Sequence, residues 1–155
     1  MQLQGLSKNE ILNTLEKNLL RLEKLVMDHM SEEIFYKTRK NGKWTAKQII
    51  GHLYDTQEVW GKRIAKCCLH NSAVLESYDP ELYVRERDYN NVNMKYLLKK
   101  YKKSREDMQH LLVDDNWSKT GKHVEEGIFT VKDLAETIAL HEIHHIRQVE
   151  EIIKS

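Results

Sequence analysis

The chain has 155 residues, 40% of them apolar and 32% charged, a length that holds one core with a heavily solvated exterior. Twenty-five Lys and Arg against 24 Asp and Glu leave a formal charge of +1, which argues against a generic polyanion binder. No apolar run approaches the length of a membrane span, and the start, MQLQGLSKNE, lacks the basic and apolar regions of a secretory signal. The two cysteines, Cys67 and Cys68, are adjacent and form neither a disulfide framework nor a CxxC pair, so the expected setting is the reducing cytoplasm.

Four helix starts organise the chain. A hydrophobic staple around a capping box sets an apolar residue, a cap, two spacers, a polar residue and another apolar residue in order. Leu6-Ser7 with Glu10-Ile11 opens a helix predicted over residues 7–29, and Asn41-Gly42 breaks the stretch 38–43. Trp44-Thr45 with Gln48-Ile49 opens the second, over 45–69. A long connection, 70–88, carries the only proline, Pro80. Tyr89-Asn90 with Asn93-Met94 opens the third, over 90–113. Residues 114–128, with Gly121 and Gly127, lead to Phe129-Thr130 with Asp133-Leu134, which opens the fourth, over 130–153. Apart from a short β piece near 122–129, the periodicity is helical throughout.

The fold class this predicts is all-α, one four-helix bundle over residues 1–155. A helix of 24 residues is about 36 Å long and 19 extended residues reach about 60 Å. The 70–88 connection is therefore long enough to cross the bundle and make the second and third helices parallel, though length does not require it.

Histidines supply the main functional signal. In the fourth helix a seam with spacings of four and three runs Leu134, Ile138, His141, His145, Gln148, Ile152, which turns His141 and His145 inward one turn apart. In the second helix His52 lies on or beside the inward stripe. Three desolvated imidazoles without a shared partner are costly, and one metal ion satisfies all three neutral rings. His29, at the end of the first helix, is the rival third ligand. His144 sits about 100° round the helix from His145, at the entrance or behind the ligands. His70, His110 and His123 fall at helix ends or in loops and are expected to be solvated. The segment His141-Glu142-Ile143-His144-His145 also matches the HExxH pattern of zinc proteases, but only ten residues follow His145, none of them His, and no substrate-aligning strand is apparent. What remains is a histidine pair with an acid, Glu142, beside it.

Three segments in order carry a family resemblance: Trp44-Thr45-Ala46-Lys47-Gln48-Ile49-Ile50-Gly51-His52-Leu53, Gly127-Ile128-Phe129-Thr130-Val131-Lys132-Asp133-Leu134, and His141-Glu142-Ile143-His144-His145-Ile146-Arg147-Gln148. In them the sequence resembles the DinB/YfiT-like superfamily of four-helix-bundle metalloproteins. The resemblance implies an up-down-down-up bundle with a long crossover between the second and third helices, usually dimeric. It also implies a divalent ion (Zn, Ni, Fe or Mn) on His52, His141 and His145. Some members resemble S-transferases or isomerases that use a low-molecular-weight thiol such as bacillithiol or mycothiol, and others resemble DNA-damage-induced proteins. A His-only site with open positions polarises an oxygen or lowers the pKa of a thiol or water. Glu142 then serves as base or as a partner behind the ligands.

The functional expectation is thus a metal-dependent enzyme acting on a small molecule, of thiol S-transferase or hydrolase type, with a non-catalytic metal-stapled dimer as the alternative. Helix three carries Lys99, Lys100, Lys102, Lys103 and Arg105, but its apolar seam through Met94, Leu97, Tyr101 and Met108 makes that basic run a solvated face rather than a nucleic-acid reader. A second apolar set on helix four (Val131, Ala135, Ile146, Val149 and Ile153) exceeds one stripe. This surplus, with Trp60 and Tyr54, points to a homodimer, or else to cover from residues 70–88.

Overall fold

The protein is described by a computed structural model covering residues 2–29, 31–40, 42–70 and 72–155. Asn41 of the expected Asn41-Gly42 break lies outside the described residues. Four long helices form the body: α1 (Lys8–Met27), α2 (Ala46–Leu69), α4 (Met94–Gln109) and α5 (Val131–Lys154), with a short α3 (Pro80–Arg87) between α2 and α4. Three of the long helices start where the capping boxes lie. Ser7 with Glu10, Thr45 with Gln48 and Thr130 with Asp133 each exchange both cap hydrogen bonds, satisfying amides that the first turn leaves free.

The third long helix differs from its expected bounds. Asn93, not Asn90, is its cap, accepting from the Tyr96 amide at 3.0 Å, while Tyr89–Asn91 form a separate 3-10 turn. The crossover also holds α3, which the sequence reading left as loop. Asp79 caps it and Pro80 occupies its first turn, where a missing N–H costs nothing.

Side-chain pairings give the helix directions. Lys47 reaches the Val92 carbonyl and Gln57 meets Arg105, so α2 and α4 run parallel. The Gln4 and Leu6 amides donate to Glu136, Asn18 meets Glu142 and Arg21 meets Glu150, so α1 and α5 also run parallel. Between these pairs the sense reverses: Arg105 reaches the Leu15 carbonyl while Lys102 meets Glu23. The topology is up-down-down-up, as the resemblance implied. To it is added a small sheet, β1 (Ala73–Leu75), β2 (Thr120–His123) and β3 (Gly127–Thr130), with β1 parallel and β3 antiparallel to β2. No helix among the described residues is long and apolar enough to cross a membrane.

The core is two apolar clusters separated by a polar layer. One gathers Leu22, Leu53, Tyr101 and Ile146; the other Leu15, Ile64, Met108 and Ile138. Between them each long helix contributes one buried polar residue: Asn18, Gln57, Arg105 and Glu142. Arg105 is thus fully buried rather than on the solvated face, while Lys99, Lys100, Lys102 and Lys103 are exposed as expected. Val131, Ala135, Ile146 and Val149 are also buried within the one chain, because α5 packs against α1 on one flank and α2 on the other. The surplus apolar set therefore gives no reason for a second subunit. Trp60 is covered in part by Tyr78 of the crossover, at 5.7 Å between ring centres.

At Gly51, beside His52, a Cβ would lie 2.2 Å from the Tyr89 ring, so the 3-10 turn after α3 rests directly on the α2 backbone.

Candidate metal centre

Antiparallel packing of α2 and α5 brings His52 against His141 and His145. One ring nitrogen from each lies within 4.8 Å of the others. The Nε2 atoms of His52 and His141 are 2.9 Å apart, and the three ring centres are separated by 4.4–4.8 Å. His52 is buried, with the Trp44 ring tilted against it at 5.0 Å, whereas His141 and His145 are half-buried, so the group opens outward along α5.

No carboxylate hydrogen-bonds to these rings among the described residues. Burial, then the neighbouring imidazoles, pushes His52 down to about 4 and His141 down to about 2. Burial lowers His145 as well, against the opposing pull of Gln148. All three are therefore neutral lone-pair donors at pH 7, the state in which imidazole binds a metal.

The donors fit one ion. Two nitrogens held about 2.0–2.1 Å from a single zinc stand roughly 3–3.4 Å apart, close to the 2.9 Å between His52 and His141. His145 is further prepared. Its Nδ1 donates to Gln148 Oε1 at 2.8 Å, which holds the ring proton there and leaves Nε2 as a lone pair. The same amide donates to His144 Nε2 at 3.2 Å, consistent with that orientation. The Nδ1 atoms of His52 and His141 are buried without a partner.

The remaining candidates separate cleanly. His29 bonds the Leu25 carbonyl through Nδ1 at 2.8 Å and stands outside the group. His144 is exposed behind Gln148. His70 and His110 are exposed, but His123 is buried, because the β2–β3 hairpin folds over it; this corrects the expectation that it is solvated. Glu142 is engaged elsewhere. Its Oε1 accepts from Asn18, and its Oε2 accepts from Tyr101 and Arg105, so both oxygens are committed to the polar layer and neither reaches the histidines. Burial raises its pKa, opposed by the Asn18 hydrogen bond.

Sequence reasoning missed the roles of Arg105 and Gln148. Arg105 continues the seam Met94, Leu97, Tyr101, Met108 at helical spacing, and that phase was the available signal. Gln148 was legible as a seam position but not as the residue that orients His145.

Comparison with known proteins agrees with this architecture. The DinB superfamily profile matches residues 14–149. A protein of Oceanobacillus iheyensis, named as a candidate metal-dependent hydrolase, is 25% identical over 149 residues, covering 94% of this chain and 86% of that protein. YfiT from Bacillus subtilis, described as "a probable metal-dependent hydrolase with an unusual four-helix bundle topology", superposes with a TM-score of 0.86 at 19% identity, covering 99% of this chain and 91% of that one. A mycothiol-dependent maleylpyruvate isomerase superposes with a TM-score of 0.73 at 10% identity, and the match covers 96% of this chain and 63% of the isomerase. With the helix order, the crossover and a profile match over most of its length all in agreement, the chain belongs to the DinB superfamily.

Proposed function

We propose that His52, His141 and His145 hold one divalent metal ion, and that the protein is a metal-dependent enzyme acting on a small molecule, of hydrolase or thiol S-transferase type. The observation that carries this reading is the donor set: three neutral imidazoles from two helices, converging without a counter-charge. Imidazole suits zinc, nickel, iron and copper better than it suits magnesium or calcium. A bound ion there supplies a Lewis acid that polarises an oxygen or lowers the pKa of water or a thiol.

The chain's own residues do the rest. Gln148 fixes the His145 tautomer, and Trp44 covers His52 and keeps water from that side. Because His141 and His145 are half-buried, a small molecule has access from the α5 side. No fourth His, Cys, Asp or Glu joins the group among the described residues, which favours catalysis over a structural staple, since structural zinc is normally closed by four protein ligands. The relatives' names, metal-dependent hydrolase and mycothiol-dependent isomerase, support the same chemical range.

The test is metal analysis of the native protein at pH 7.5, followed by a screen of activated esters and of thiol–electrophile pairs. About one transition-metal ion per chain, with turnover that chelator abolishes, is expected. Failure to bind zinc, nickel, iron or manganese at micromolar concentration would falsify the reading.

A further inference from the structure

A separate cleft lies further along α2 and α5, past the level of the histidines. The helices are antiparallel, so Thr56, one turn after His52, and Thr137, one turn before His141, lie on the same side of the centre. Past that level Trp60, Arg63, Tyr78, His123, Phe129 and Thr137 line a cleft of about 610 Å³. Tyr78 comes from the crossover, and His123 and Phe129 come from the β2–β3 hairpin. At 1.5 Å per residue, Arg63 is about 16 Å along α2 from His52, and it returns to nearly the same helical face.

Arg63 is the unusual wall residue. It is only 8% exposed, lies 4.2 Å from the Trp60 ring centre and donates to the Glu76 carbonyl. No carboxylate stands within 4.0 Å of it among the described residues, whereas Arg105, also buried, is paired with Glu142. Burial pulls the Arg63 pKa down, against the opposing pull of Glu126, and a desolvated cation held in no ion pair is costly. Further polar atoms gather near it. The Tyr78 hydroxyl and Thr56 Oγ1 are buried neighbours that have no polar partner besides one another. His123 Nδ1 accepts from the Glu125 and Glu126 amides at 3.1 Å each, which places its ring proton on Nε2. Glu125 and Glu126 also line the cleft, at its exposed rim, with Glu125 accepting from Ser77.

From this juxtaposition we propose that the cleft is an anion-recognition subsite, in which Arg63 takes the carboxylate or phosphate end of an elongated small molecule. The apolar part of that molecule lies on Trp60 and Phe129, and its other end reaches the histidines. The proposal rests on the histidines being the reactive centre.

Calorimetry with four probes tests it: 4-phenylbutyrate, 3-phenylpropyl phosphate, the neutral 4-phenylbutyramide and the cationic 4-phenylbutylamine. At least one anion is expected to bind at millimolar concentration, with the amide and the amine at least tenfold weaker; which anion binds tighter separates carboxylate from phosphate. R63Q should bring the anion down to the level of the amide, and H141A should leave anion affinity within about twofold. Equal binding of acid and amide, preference for the amine, or no binding of either anion overturns the subsite. Loss of anion binding in H141A with retention in R63Q also overturns it, and leaves the metal reading intact by assigning the anion to the histidines. Should R63Q not fold, the acid-against-amide comparison on the wild-type protein decides alone.

Discussion

Two buried polar groups lie close together on α5, and they are built in opposite ways. In the layer between the core clusters, Glu142 and Arg105 neutralise each other, while Asn18, Gln57, Tyr101 and the Leu15 carbonyl take up their remaining hydrogen-bonding capacity. One residue away along α5, His141 has a neutral ring, an Nδ1 without partner and an Nε2 aimed at another imidazole. The first group is closed on itself and serves packing. The second leaves donors over, as the proposed metal ion requires. Adjacent residues on a helix point about 100° apart, which is how one turn of α5 takes part in both.

Breaking the closed group has the largest expected effect. Glu142→Ala or Arg105→Ala should each lower stability by about 3–5 kcal/mol, because either leaves a buried charge without its partner. Urea unfolding reads this. The pair replaced together by Leu and Met should recover most of the loss, and a double variant as weak as the singles would mean the layer is more than an ion pair. Breaking the open group should do the reverse. His52→Ala, His141→Ala and His145→Ala are each expected to weaken metal affinity at least about a hundredfold, near 2.7 kcal/mol, while the metal-free fold changes little. His29→Ala and His144→Ala should keep the ion. Full occupancy in His52→Ala with loss in His29→Ala would reassign the third ligand to the end of α1.

Acid should distinguish the groups next. The folded histidines have pKa values depressed below the ordinary 6.5, so the stability tied to their neutral form is present above that value and is lost as pH falls through the folded values, about 4 for His52. A bound ion deepens the depression. Melting with and without chelator should therefore differ at pH 7.5 and converge towards pH 5, and an equal chelator effect at both would count against histidine ligation. The smallest effect belongs to Gln148→Ala, which frees the His145 tautomer and should weaken metal affinity about tenfold with no change in unfolding. Unchanged affinity there would mean that the ring is oriented by packing alone.

Much of this was legible in the sequence wherever one signal acted alone. The capping boxes marked three helix starts, since those bonds are local, and the i,i+4 spacing put His141 and His145 together. Asn93 was obscured by Asn90, because both are competent caps and only the 3-10 turn over Tyr89–Asn91 decides between them. Helix α3 was hidden by its length, although Asp79-Pro80 is a good start. Glu142 drew attention by its place in HExxH, whereas its hydrogen-bond partners come from α1 and α4. Arg105 was misread for the charges around it, although its position follows the apolar seam. In each of the last two, helical phase carried more information than residue type.

Gly51 and His52 sit side by side on α2 under unrelated constraints. At 51 the Tyr89 ring occupies the space of a side chain, so even alanine would lift the turn after α3 off the helix. At 52 the proposed ion asks for a lone pair, and space is incidental. Relatives would keep the Gly-His dipeptide through two separate pressures, and a member that had lost its chemistry could still retain the glycine. The histidine, not the motif, is the residue that reports whether the centre is present.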